Sequence, residues 1–445
     1  MKGDFSRNTF DPEKFFTRVL MQQGRVQVDA DWNEQVSILL HYMRTLATDL
    51  MGPHGGPGVG FKIDKEHPKG TLLTNDFVVK PEHYYVKGGL CEIAADTPYS
   101  KLDAWRRPDS EKLEDGEKYI VYLDVWERHI SHVVDNSIRE KALNGPDTAT
   151  RAQHVWQIRV MKTDLTGAAA KTKYKAYENF LGDLPARITK PGTGYLTAAT
   201  DRGRTDDSGP CNIAPESRYR GAENQLYRVE IHSEQSDSET PATWKWSRDN
   251  GAVVFPIRSL KAVGKSTTVT VDHLGRDDRF GLEAGDWIEV VDDNYELLGL
   301  AHRLLKVKEV RTNDLEVILD GTPLPSGVGS DPEKHPLLRR WDQQRNKKKG
   351  VDVTDEGVIP VAKPDTRIEI EDGIFVEFSA DKYRTGDYWL IPARVATGDI
   401  EWPKLADGNA EAVLPHGTQH SYAPLAHIVV SAAGTITPVD LRHKI

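Results

Sequence analysis

The chain has 445 residues, 38% hydrophobic and 28% charged, with a formal net charge of −10. That composition excludes a disordered chain, and the acidic balance excludes the clustered basic face of a nucleic-acid binder. No run of about 18 apolar residues occurs, which excludes a membrane-spanning helix, and at roughly 100–200 residues per domain the length allows two to four domains.

The opening Met1-Lys-Gly-Asp-Phe-Ser-Arg has no apolar h-region, so the expectation is a protein made in the bacterial cytoplasm without a signal peptide. Phe5, Phe10, Phe15, Phe16, Val19 and Leu20 then form an apolar lead-in with no period of 2 or 3.6. Such a segment cannot bury itself alone and must pack on its own helix or on a partner. Trp32, Val36, Leu39, Leu40, Met43, Leu46 and Leu50 recur at spacings of three and four, which predicts one long amphipathic helix. Asp29 or Asp31 is expected to cap it, with Glu34 placed as in a capping box, and Gly52-Pro53 ends it. Residues 1–60 thus read as a docking segment and helix, the last nine being a Gly/Pro-rich linker.

Residues 61–165 read as a β-rich domain, with Tyr119 to Trp126 and Val155 to Val160 as its strongest strands and a short helix over 137–143. Residues 166–215 carry little periodicity and read as a long loop excursion. From 216 to 345, short strands separated by turn signals predict a small barrel-like domain, with Asp292-Asp-Asn294 as a tight hairpin turn. The run Arg345 to Lys349 reads as a solvated loop, and residues 346–445 as a C-terminal β-rich domain. The fold class is therefore mainly β, multi-domain, with barrel or sandwich-like modules behind one long N-terminal helix.

Chemistry is sparse. Cys91 and Cys211 are too few for a disulfide framework or a four-cysteine zinc site. Gly264-Lys-Ser266 lacks the first glycine of a phosphate loop and precedes a strand. Neither Gly-x-Ser-x-Gly nor His-Glu-x-x-His occurs. His416, His420 and His427 are candidate metal ligands, although loop histidines bonded to backbone carbonyls explain them more simply. No catalytic, cofactor or metal site is assigned. Trp126, Trp246, Trp287 and Trp389 are expected to be mostly buried, and not to form a sugar-stacking platform.

The stretches Lys2 to Pro12, Arg18 to Gln35, Tyr122 to Arg128, Gly145 to Arg151, Glu223 to Glu230, Trp246 to Gly251, His335 to Trp341 and Tyr383 to Arg394 together resemble a bacterial family encoded among phage-tail and contractile-injection genes. Gly24-Arg-Val-Gln-Val-Asp-Ala-Asp-Trp-Asn-Glu-Gln35 is also similar to the openings of phage baseplate and fibre proteins. The resemblance implies a non-enzymatic component of a contractile injection particle, at its baseplate or periphery, whose N-terminus attaches the subunit. Partners would be baseplate subunits and further copies of itself, with no nucleic acid and no membrane insertion. Candidate docking residues are Phe5, Phe10, Phe15, Phe16, Val19, Leu20, Arg25 and Trp32. A carbohydrate- or receptor-binding module is the alternative, and a glycan-degrading enzyme a third.

Overall fold

A computed structural model describes residues 1–66, 74–102, 111–185, 188, 192–200, 218–235, 240–346, 351–364 and 366–445. Its fold is mainly β. Two long strands, Lys118–Ile130 and Arg151–Lys162, pair antiparallel from Tyr119 opposite Lys162 to Ile130 opposite Arg151. Alternate residues of a strand face opposite ways, and here both faces are apolar. Tyr119, Val121, Leu123 and Val125 enter one core with Phe61, Phe77 and Tyr84. Ile120 and Tyr122 point the other way, into a second cluster.

That second face explains a difference from the sequence reading. Residues 166–215 are not one loop excursion: they contain the helices Gly167–Lys173 and Tyr177–Asp183 and the strand Leu196–Ala199. Ala170, Tyr174, Tyr177 and Phe180 cover Ile120, Tyr122 and Tyr422. Each helix is only two turns long, too short for a period to stand out in the chain, and packing stabilises it. Residues 186–187, 189–191 and 201–215, with Cys211, lie outside the described residues, as do Lys347 to Lys349 of the basic run. Over 137–143 there are two 3₁₀ turns, Asn136–Ile138 and Lys141–Leu143, where one short helix was expected.

The chain's last strands return to its first sheet. Ser421–Val430 pairs with Lys118–Ile130 on the edge opposite Arg151–Lys162, and Ile436–Asp440 completes a four-stranded order. Between these visits the chain builds two further bodies. Six strands close a barrel in the order Val254–Val263, Ser266–Val271, Glu316–Asp320, Leu305–Arg311, Trp287–Val291, Leu337–Trp341. Phe255, Val269, Ile288, Val317, Leu319 and Leu338 are buried in its core. Asp292 is no hairpin turn. It caps the short helix Asp293–Leu297 by accepting from the Tyr295 N–H (2.9 Å). Its other oxygen accepts from the Gly329 N–H (3.1 Å).

The third body is a five-stranded sheet, Ile359–Pro360, Thr243–Ser247, Gln225–Ser233, Tyr388–Arg394 and Asp399–Ile400. It shares one core with the three-stranded sheet of Ile368–Glu371, Ile374–Phe378 and Leu196–Ala199. Trp126, Trp246 and Trp389 are buried as expected, and Trp287 is half-buried against Leu304, Trp341 and Val358. Trp244 and Trp246 share the core face of their strand, whereas Lys245 points the opposite way, to Glu289 of the barrel.

At Gly60 only a hydrogen fits. A Cβ on Gly60 would lie 2.3 Å from the His83 carbonyl oxygen, and the Gly60 carbonyl accepts from Arg442 (2.6 Å). Gly60→Ala is therefore expected to lower stability by about 1–3 kcal/mol in denaturant titration. An unchanged midpoint would show that the hairpin at His83 yields freely.

Candidate interaction surface

The long helix is Asp29–Met51. Val28 is its N-cap, and the Asp31 carboxylate accepts from the Val28 N–H (3.4 Å). The two other expected cap groups serve the lead-in instead. Asp29 accepts from the Ser6 N–H (2.9 Å), and Glu34 accepts from the Thr9 hydroxyl (2.5 Å). Gly52, at φ +83°, ends the helix with its N–H on the Thr48 carbonyl (2.8 Å).

One side of the helix rests on the protein. Ala30 and Ile38 are buried there, and Arg44 reaches Glu127 (2.5 Å) on the long strand Lys118–Ile130. Hydrogen bonding from His154, opposed by burial and reinforced by Arg44, holds the Glu127 carboxyl down to about 2. The other side has no cover among the described residues. Trp32, Val36, Leu39, Leu40, Tyr42, Met43, Leu46 and Leu50 are all exposed, from 41% for Leu40 to 77% for Leu50. Phe15, Phe16, Leu20, Met21 and Val26 of the lead-in are exposed as well, Phe15 to 86%. Exposed apolar residues in this number make the segment a candidate interaction surface.

The eight candidate docking residues separate into two groups. Phe5, Phe10 and Val19 are half-buried on their own chain. Phe5 lies edge-on to His129 (6.1 Å), Phe10 lies against His41 (5.8 Å), and the Val19 N–H donates to Gln35 (2.9 Å). Phe15, Phe16, Leu20, Arg25 and Trp32 face outward.

Sequence reasoning missed the anchor that holds this lead-in. The Met1 amino group donates to the Tyr388 hydroxyl (3.2 Å), and its carbonyl accepts from Arg228 (3.3 Å) and Asn250 (3.2 Å). Asn250 also donates to the Gly3 carbonyl (3.0 Å). Asp249 and Asn250 both adopt left-handed backbone, at φ +50° and +53°, so Trp246-Ser-Arg-Asp-Asn-Gly251 makes the tight turn that aims Asn250 at the N-terminus. Lys2 pairs with Glu230 (3.3 Å), and burial, partly offset by Glu230, pushes its amine down to about 8. Arg7 reaches Glu401 (3.1 Å).

Beneath this anchor lies a paired ion network. Arg228 meets Glu230 (2.6 Å), and Lys245 meets Glu230 (3.5 Å) and Glu289 (2.7 Å). Trp341 donates to Glu289 (2.9 Å) while Lys245 lies over its ring (4.2 Å). These groups join the five-stranded sheet to the barrel. The three C-terminal histidines take separate partners. The His416 N–H donates to the Tyr388 carbonyl (2.8 Å), His420 bonds Asp124 (2.6 Å) and stacks on Trp126, and buried His427 bonds the Leu165 carbonyl (2.9 Å). No group of three potential metal ligands occurs among the described residues.

Burial drives a pH dependence. It pushes His54, His129 and His232 down to about 4 and raises Asp249 and Asp387 to about 6. The histidines must fold neutral, so their contribution is lost as pH falls from 6.5 toward 4. The two aspartates act oppositely, because their buried carboxylates cost stability as pH rises from about 4 to 6. The shifts are of similar size, so three histidines outweigh two aspartates. The melting temperature is expected to drop by several degrees between pH 7 and pH 4.5 in calorimetry, and a constant or rising value would contradict this balance.

Fold and surface together define a β-rich, barrel-containing protein whose most prominent outward feature is an apolar helix face. The chain belongs to DUF6519, a family of unknown function, whose model matches residues 1–194 and 182–438. No curated protein matches it. Among solved structures, one titled "Crystal structure of TssK" aligns over 83% of this chain and 99% of its own at 9% identity, with a TM-score of 0.18, too slight an overlap to define a shared fold.

Proposed function

We propose that the protein is a non-enzymatic structural subunit of a phage-tail-like contractile injection particle, placed at the baseplate or its periphery as a cage, spike-surround or fibre-base component. One observation carries this reading: an anchored N-terminal segment presents an apolar surface that nothing in the described chain covers. The resemblance of Gly24 to Gln35 to phage baseplate and fibre openings supports the same placement. The non-enzymatic reading rests on the scattering of the C-terminal histidines and on the mutual pairing of Arg228, Lys245, Glu230 and Glu289. A sugar-binding platform built on the strand tryptophans needs them to face solvent, whereas Trp126, Trp244, Trp246, Trp341, Trp389 and Trp402 are buried. No described helix is long and apolar enough to cross a membrane.

Removing residues 1–22 would empty the sites of Arg228, Asn250 and Glu230, so substitution is the cleaner test. The triple variant Phe15→Ser, Phe16→Ser, Leu20→Ser removes three exposed side chains and is expected to fold normally yet be lost from purified particles. Incorporation at wild-type stoichiometry would show that docking lies elsewhere. Release of reducing sugar from bacterial polysaccharide by the pure protein, abolished by changing one carboxylate, would overturn the non-enzymatic part.

A further inference from the structure

We infer that the outward face of the helix Asp29–Met51 is a coiled-coil seam, and that its occupants are the same helices of further copies of this chain, in a closed parallel bundle of three or more. This rests on the reading of the protein as an assembly subunit and names the partner at one of its surfaces.

The first argument is the period. Trp32, Val36, Leu39, Met43, Leu46 and Leu50 are spaced four, three, four, three and four. That is an unbroken alternation of d and a heptad positions over two and a half heptads. The residues touching the protein body obey the complementary rule. Ala30, Ile38 and Arg44 fall at b and c, on the side away from the seam. The body therefore holds the helix by its back and leaves the a/d seam outward.

The second argument is the charge pattern. The flanking e positions are Asn33, Leu40 and Ala47, and the g positions are Gln35, Tyr42 and Asp49. Coiled coils that select a different partner do so with opposed charges at e and g. Here five of these six side chains are uncharged, so identical copies meet along the seam without like-charge repulsion except at Asp49, near its end.

The third argument is width and area. Leu40 at e and Tyr42 at g are exposed beside the a/d residues. The apolar stripe is thus broader than a two-stranded seam and suits a helix flanked by two neighbours. Three or more identical helices around one rotation axis lie parallel. The eight exposed side chains together present on the order of 800 Å² per copy, the size of one partner's share of a stable interface. The lead-in borders the stripe where Val19 meets Gln35 and leaves the a/d positions open.

The test uses the full chain. Light scattering at micromolar concentration is expected to give at least three times the 49.9 kDa chain mass. The double variant Met43→Glu, Leu46→Lys changes only exposed side chains and is expected to give the mass of one chain, with unchanged circular dichroism and melting of the β bodies. A parallel bundle also places like positions together, so Met43→Cys is expected to cross-link to itself under mild oxidation, with the wild-type chain as control for Cys91 and Cys211. A wild-type chain of single mass, together with a Met43→Cys variant that forms no cross-link, overturns the bundle. If that monomer still enters particles and the Met43→Glu, Leu46→Lys variant does not, the seam holds another subunit and only the self-association fails. If the bundle forms but wild-type protein is absent from particles, the particle reading fails and the bundle stands.

Discussion

Glu289→Leu is expected to lower stability by about 3–5 kcal/mol. Glu289 is buried on the barrel strand Trp287–Val291, where it accepts from Lys245 (2.7 Å) and from the Trp341 indole N–H (2.9 Å). Burial alone would raise its carboxyl pKa, but Lys245 and Lys2 reverse this and hold it down to about 2. Its ionised form therefore contributes stability at neutral pH that is lost as pH falls from about 4.5 toward 2. Leucine leaves the Trp341 N–H without that partner and leaves Lys245 only the longer contact to Glu230 (3.5 Å). A buried charge stripped of its partner costs far more than the intact pair contributes. The double variant Lys245→Met, Glu289→Leu removes both charges and is expected to recover much of the loss. Denaturant titration of the wild type, both single variants and the double variant measures the coupling. A double variant as unstable as the sum of the singles would show that the pair acts through packing and not through charge.

Trp389→Ala is the second large effect, expected at about 3–5 kcal/mol. The ring is 1% exposed and packs edge-on to Phe378 (6.1 Å) and Tyr383 (6.2 Å), while its N–H donates to the Val413 carbonyl (2.9 Å). Its strand pairs with Gln225–Ser233 at the centre of the five-stranded sheet, so neighbouring groups have little room to collapse into the void. Trp389→Phe keeps most of the volume and loses the hydrogen bond, and should cost about 1–2 kcal/mol. Trp32→Ala provides the contrast. That ring is 69% exposed, so its loss should stay within about 0.5 kcal/mol for the isolated chain. If Trp389→Ala were as mild as Trp32→Ala, the shared core of the two sheets would be looser than its burial shows.

How much was legible in the chain depended on distance along it. The helix Asp29–Met51 was readable because its signal, apolar residues three and four apart, is local and spans six turns. Most barrel strands were readable for the same reason, since alternation and turn residues act over a few positions. The helices Gly167–Lys173 and Tyr177–Asp183 were not, because each depends on a sheet face supplied by Ile120 and Tyr122, some fifty residues earlier. The return of Ser421–Val430 to Lys118–Ile130 was equally hidden, since strand pairing across such a separation leaves no local trace.

The candidate surface divides in the same way. The sequence by itself determined that an apolar lead-in and an amphipathic helix stand at the start of a β-rich chain, because composition and period are properties of neighbouring residues. Only the tertiary structure decided which apolar groups are spent internally. Phe5 and Phe10 turned inward because His129 and His41 lie within reach, and the first residues are pinned by Arg228, Asn250 and Tyr388 from distant strands. Phe15, Phe16, Leu20 and Trp32 stayed outward because no described segment covers them. An amphipathic helix shows in sequence that it has a face to bury. What lies against that face depends on surfaces elsewhere in the chain or on another molecule.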